Sequence, residues 1–179
     1  MDPPAVGEGQ PGSVKPWQQI REPELTMGIE ARLADLGIEL PSPPKPVASY
    51  VPFVVTGNLV HVSGQVPMGK DGLEFIGKLG QDFDIETGQA AARLCALNII
   101  AQLKAAADGN LDRITRIVRL GGFVNCSADF KAQPLVINGA SDLMVDVFGD
   151  AGRHARAAVG TNALPGNVAV EIDAIAELA

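Results

Sequence analysis

The chain has 179 residues, 46% hydrophobic and 20% charged, with 21 acidic against 14 basic side chains and a net charge of -7. That length and composition suit one globular domain with a sizeable core and exclude a chain too polar to fold. The acidic balance argues against a nucleic-acid partner, because Arg113, Arg116 and Arg119 form the only arginine-rich stretch and stand among apolar neighbours.

Residues 1–26 carry Pro3, Pro4, Gly7, Gly9, Pro11, Gly12, Pro16 and Pro23 and offer little to bury. They are expected to form a flexible leader, with residues 27–179 as a single domain. The N-terminus lacks a basic start followed by an apolar stretch, and no run of 18 apolar residues occurs anywhere. Neither a signal peptide nor a membrane contact is therefore expected, and a cytoplasmic location is the simplest reading.

Ile29, Leu33 and Leu36 keep helical spacing until Gly37 stops them, and Pro41-Ser42-Pro43-Pro44 reads as a stiff, extended connector. Val51 to Thr56, the Gly57-Asn58 turn and Leu59 to Gln65 read as a β-hairpin. The glycine-rich stretch 66–83 is expected to be loop, with a short strand at Glu74 to Ile76. A long helix follows from Ile85 to Ala107, with Asp84 as its N-cap and Gly109 as its stop. Leu94, Leu97, Ile100, Ala101 and Leu103 make its apolar face.

Ile114 to Phe123 reads as a strand, Leu135 to Phe148 as a second long helix stopped by Gly149, and the chain closes with two more strands. Cys95 and Cys126 show neither zinc spacing nor a disulfide framework and read as buried, reduced thiols. The order of elements predicts an α+β layer arrangement, a sheet packed on two helices. Such a sheet keeps a second, rather apolar face, so a homo-oligomer is expected.

The two closing strands place Arg156 and Ala158 on one strand face, and Glu171 and Asp173 on one face of the other. A guanidinium is an always-charged fork suited to a carboxylate, which makes Arg156 a candidate anchor for a small acid. Pairing of the last two strands as a hairpin would instead put Glu171 or Asp173 opposite Arg156, in a structural ion pair without a ligand. Tyr50 also fits an amphipathic core edge, Asn138 an ordinary polar position in a helix's first turn, and Gly64 a bulge. His154 fits a satisfied structural histidine on a strand, His61 a surface or interface residue. Ser63 has no visible histidine–acid pairing, which disfavours a serine hydrolase.

Several separated pieces, in order over residues 45–178, resemble the YjgF/RidA superfamily, the imine deaminases also labelled endoribonuclease L-PSP. They are Pro46-Val47-Ala48-Ser49-Tyr50-Val51-Pro52, Leu59-Val60-His61-Val62-Ser63-Gly64-Gln65-Val66-Pro67, Gln89 with Asn98 and Leu103, Ile137-Asn138, His154-Ala155-Arg156, and Leu164-Pro165 with Val170-Glu171-Ile172-Asp173-Ala174-Ile175-Ala176. The chain departs from the family pattern where His154 replaces a proline and where Ala158 stands at a frequent cysteine position. It differs also around Gly121-Gly122 and between Asn125 and Leu135, as a divergent subgroup would.

The resemblance implies a chorismate-mutase-like fold assembled as a trimeric barrel, with clefts between subunits. It implies a substrate pocket of Tyr50, the Gly64 backbone, Asn138, Arg156 and Ala158, with Arg156 and Glu171 as the catalytic pair. Arg156 would bind the carboxylate of an enamine or imine acid such as 2-aminoacrylate, and Glu171 would hold the attacking water. The products would be a 2-keto acid and ammonia, with no metal and no organic cofactor required. A non-catalytic module that binds a small 2-keto acid, and a hydrolase for a different substrate in the same cleft, are the competing readings. A ribonuclease is disfavoured by the acidic chain, which shows no paired general acid and base.

Overall fold

A computed structural model describes residues 27–42 and 50–179. The leader at 1–26, the second half of the proline connector and the segment from Pro46 to Ser49 lie outside the described residues. The elements are α1 (Ile29–Asp35), β1 (Phe53–Thr56), β2 (Leu59–Gln65), β3 (Met68–Gly69), β4 (Gly72–Leu73), α2 (Ile85–Ala106), β5 (Ile114–Asn125), α3 (Gln133–Phe148), β6 (Ala155–Thr161) and β7 (Val170–Leu178).

Local chemistry sets the helix ends. The Asp84 carboxylate accepts from the Thr87 N–H at 2.9 Å and caps α2. Pro134 sits in the first turn of α3, where a missing N–H costs nothing, and Gly149 ends that helix at φ 61°. The two long helices then cross closely, because position 139 has no side chain. A Cβ there would run into the backbone carbonyl of Gln89.

β1, β2, β7, β5 and β6 form one mixed sheet in that spatial order. β5 and β6 are parallel; every other neighbouring pair is antiparallel. The helices cover one face. Ile99, Ile100 and Leu103 of α2 and Val136, Ile137, Leu143 and Met144 of α3 are buried against Leu120, Val124, Ile172 and Ala174 of the sheet. Each such side chain contributes about 1.5–3 kcal/mol on leaving water. The α+β layer arrangement expected from the sequence, a sheet packed on two long helices, is thus present, with α1 as a third, short helix.

Strand register decides which side chains share a face. Arg156, Leu120 and Ala174 lie side by side in one row on the helix side; Val159, Phe123 and Glu171 form a row on the other. That second face, which no helix covers among the described residues, also carries Arg119, Asp173 and Ile175.

Four sequence expectations are corrected. The last two strands do not pair as a hairpin: β5 lies between them and bonds to both. The eight residues 162–169 are long enough to step over one strand, and Asn125 fastens their crossing by donating to the Val168 carbonyl at 3.1 Å. The expected strand at Glu74 to Ile76 is replaced by the small β3–β4 hairpin, while Ile76 makes a lone bridge to Val168. Asn138 falls in the second turn of α3, because that helix starts at Gln133. His154 precedes β6 instead of lying within it.

Candidate functional site

Arg156 on β6 is a cationic group held without an acidic partner among the described residues. Its Nη1 donates to Asn138 Oδ1 and to Ser141 Oγ, both at 2.9 Å, and its Nη2 donates to the Pro134 carbonyl at 3.2 Å. Asn138 and Ser141 stand three apart on α3, which places both over the same strand. All three acceptors are neutral. Among the described residues no carboxylate lies within ion-pair distance of this guanidinium, so the charge stays uncompensated and exposed. Three of the five N–H groups are engaged. One on Nε and one on Nη2 remain, on adjacent nitrogens, the number a carboxylate takes. Ala158, two residues along on the same strand face, is half-buried against the core and leaves the space beside Arg156 without a polar competitor.

A second group of candidates gathers on the open face, where β2 meets β7. The register between these strands shifts after Val62, so Ser63 and Gly64 form a bulge. A Cβ at position 64 would collide with the Glu171 carboxylate, which lies directly across the bare backbone. Burial, and next the Asp173 charge, push the Glu171 carboxyl above its ordinary range. Tyr50 is exposed at the same end of β2: its neighbour Val51 accepts from the Ser63 hydroxyl at 2.8 Å, and Pro52 accepts from the Ser63 N–H at 2.9 Å.

The structure therefore joins the sequence candidates in two groups: Asn138 with Arg156, and Gly64 with Glu171 beside Tyr50. Arg156 and Glu171 do not meet within one chain, because they project from opposite faces of the sheet. The ion pair envisaged for Arg156 is absent; Asp173 instead pairs with Arg119 at 2.9 Å. Ser141 and the Pro134 carbonyl are site components that the sequence reading missed. Position i+3 from Asn138 was the available signal for Ser141.

His154 adjoins the first group. Its Nδ1 lies 2.6 Å from the Gly152 carbonyl and its Nε2 lies 3.1 Å from Ser141 Oγ. Burial, and to a smaller extent the Arg156 charge, lower its pKa, so the ring is neutral near pH 7. Cys95 is fully buried, and burial raises its thiol far out of the reactive range. Among the described residues no three His, Cys, Asp or Glu side chains stand together as a metal site. None of the described helices is long and apolar enough to cross a membrane.

Residues 30–178 match the family model described as "YjgF/chorismate mutase-like, putative endoribonuclease". The chain is 49% identical over 151 residues to Protein TCP17 of Trypanosoma cruzi, covering 84% of this chain and 94% of that one. A crystal structure of a protein of unknown function from Agrobacterium tumefaciens is 52% identical, with 84% and 94% of the two chains covered and a TM-score of 0.78. A crystal structure from Shewanella oneidensis MR-1, named a "putative endoribonuclease", is 39% identical with a TM-score of 0.82, covering 85% of this chain and all of its own.

Proposed function

Since the chain belongs to the YjgF/chorismate-mutase-like family, we propose that it hydrolyses small enamine or imine acids of the 2-aminoacrylate type to 2-keto acids and ammonia. The observation that carries this reading is the Arg156 guanidinium, fixed by three neutral acceptors with two N–H groups left for a carboxylate. The reading further requires that a second copy bring its open sheet face to the β6 edge. Arg156 of one chain then anchors the substrate while Glu171 of the next addresses its imine carbon. A trimer with three such clefts satisfies every copy at once and covers the half-apolar face of Phe123, Val159 and Ile175.

The chemistry balances without a cofactor. The enamine takes up a solvent proton at its β-carbon to give an iminium, and water adds to the iminium carbon as Glu171 takes one water proton, giving a carbinolamine. Glu171 returns that proton to the nitrogen, and the C–N bond breaks as the hydroxyl proton leaves and the C=O bond forms. Ammonia departs as ammonium, and the 2-keto acid remains. A carboxyl pushed upward by its surroundings is a better base for water than an ordinary glutamate, because its pKa lies nearer the working pH. Arg156 holds the carboxylate and lends positive charge beside the reacting carbon.

The test generates 2-aminoacrylate from serine with a dehydratase and follows 2-keto acid release. Acceleration by the wild type that Arg156→Ala loses supports the reading. Unchanged release with both proteins, together with saturable pyruvate binding that needs Arg156, replaces it with a binding module. That second reading draws on one specific feature: the Arg156 group is complete within one chain, whereas Glu171 lies across the sheet from it. Light scattering tests the assembly, with a mass near three times 18.6 kDa expected.

A further inference from the structure

We propose that His154 is a positioning residue of the Arg156 anchor, acting through the Ser141 hydroxyl. The inference rests on Arg156 being the anion anchor and adds a residue on which that anchor depends.

A carbonyl oxygen only accepts, so the contact at 2.6 Å requires His154 Nδ1 to carry a proton and donate it to Gly152. In the neutral ring Nε2 is then a bare lone pair. Ser141 Oγ, 3.1 Å away, can satisfy it only by donating its single hydrogen. With that hydrogen committed, the lone pairs of the hydroxyl are left for the Arg156 Nη1–H at 2.9 Å. Each link therefore sets the direction of the next, from carbonyl to imidazole to hydroxyl to guanidinium.

The chain begins on a fixed point. Gly152 is buried, and a Cβ on it would collide with the Met144 carbonyl, so the 3-10 turn Gly149–Gly152 lies flush against α3. The Gly152 carbonyl cannot drift relative to Ser141, which stands on the same helix. Without the imidazole, the serine hydroxyl is a free rotor, and in one of its orientations its hydrogen faces Arg156 and opposes the guanidinium N–H. The neutral ring also keeps a second cation away from the anchor.

The proposal is tested by pyruvate titration calorimetry on the full chain and by nitrogen NMR of the histidines. Only His61 and His154 are present, and His154 remains as the single signal in His61→Gln. The expected spectrum is a neutral ring protonated at Nδ1; a ring protonated at Nε2 instead overturns the proposal. His154→Ala is expected to weaken pyruvate binding about fivefold. His154→Gln, whose amide oxygen reaches toward the place of Nε2, is expected to stay within about twofold of wild type. In a Ser141→Ala background, His154→Ala should cost nothing further, because the two act through one bond. Additive losses in the double variant would mean a merely structural histidine and overturn the proposal. Arg156→Ala separates the two levels: if it has lost binding while His154→Ala has not, the anchor stands and the relay falls. If Arg156→Ala binds pyruvate as the wild type does, the anchor is misassigned and the relay falls with it.

Discussion

Two of the sheet's arginines stand on adjacent strands, Arg119 on β5 and Arg156 on β6, and they differ in the face they take and in their partners. Arg119 faces the open side and holds the Asp173 carboxylate at 2.9 Å; Arg156 faces α3 and meets only an amide, a hydroxyl and a carbonyl. Neutral acceptors orient a guanidinium without cancelling its charge, whereas a carboxylate does both. Sequence spacing does not distinguish these two fates, since each arginine stands in an apolar strand. The difference arises from what the partner element offers: β7 presents acids across from β5, and α3 presents Pro134, Asn138 and Ser141 to β6. One region is thereby suited to holding an anion. The other, with Glu171 and Asp173 side by side, is suited to moving protons.

The sharpest division between the regions is expected from Glu171→Gln. Losing a base at the reacting carbon should lower turnover of the imine acid by about 10²-fold or more, while pyruvate affinity stays near wild type. The same variant should be more stable at neutral pH. Glu171 is raised in the folded protein, so the native state binds its proton more tightly than the unfolded chain, and stability falls as pH rises through the carboxyl's titration. Glutamine carries no charge there and removes that fall. Thermal melts of both proteins across the acid range check the sign, and a variant less stable than wild type at neutral pH contradicts it.

Arg156→Ala should act on the other quantity. With two charged hydrogen bonds to the carboxylate gone, pyruvate affinity should drop by about 30- to 100-fold, measured by calorimetry. Arg119→Ala serves as its control. Its half-exposed ion pair is worth at most about 1 kcal/mol, so binding should change less than about threefold. Equal losses in the two variants would erase the contrast between a paired and an unpaired arginine.

Gly64→Ala is expected to give an intermediate effect. The new methyl group must displace the Glu171 carboxylate, so turnover should fall by about tenfold with little change in pyruvate affinity. Overpacking of this kind also costs about 1–3 kcal/mol of stability. A fully active Gly64→Ala would show that the carboxylate does not work from the place it occupies across β2.

Much of this is legible in the sequence alone. The helix boundaries at Asp84 and Gly149, the turn that carries Gly109 just past the end of α2, and the hairpin around Gly57-Asn58 follow from caps and turn residues that act within a few positions. Strand alternation also placed Arg156 with Ala158, and Glu171 with Asp173, each pair on one face. Long-range order was not legible. The insertion of β5 between β6 and β7 depends on pairing between distant segments and on an eight-residue crossing pinned by Asn125, which has no local signature. For the same reason sequence proximity points Arg156 toward β7, whereas the packing of α3 supplies its partners. Relations between distant segments decide which side chains meet, and a single sequence states them only through resemblance to known folds.

The smallest expected change tests the Glu171 face alone. Asp173 is the second cause of the raised Glu171 carboxyl, after burial, and it also neutralises Arg119. Asp173→Asn removes a like charge from beside Glu171 and leaves the Arg119 cation nearby, and both changes favour the ionised carboxylate. A base must be ionised to act, so the acidic limb of the pH–rate profile should move to lower pH, with the plateau rate little altered. Folding stability should change by at most about 1 kcal/mol, as for other half-exposed pairs. A limb that moves to higher pH, or does not move, would mean that a group other than Glu171 sets it. The open face would then supply shape without chemistry, and the contrast with Arg156 would reduce to one between a structural ion pair and a binding residue.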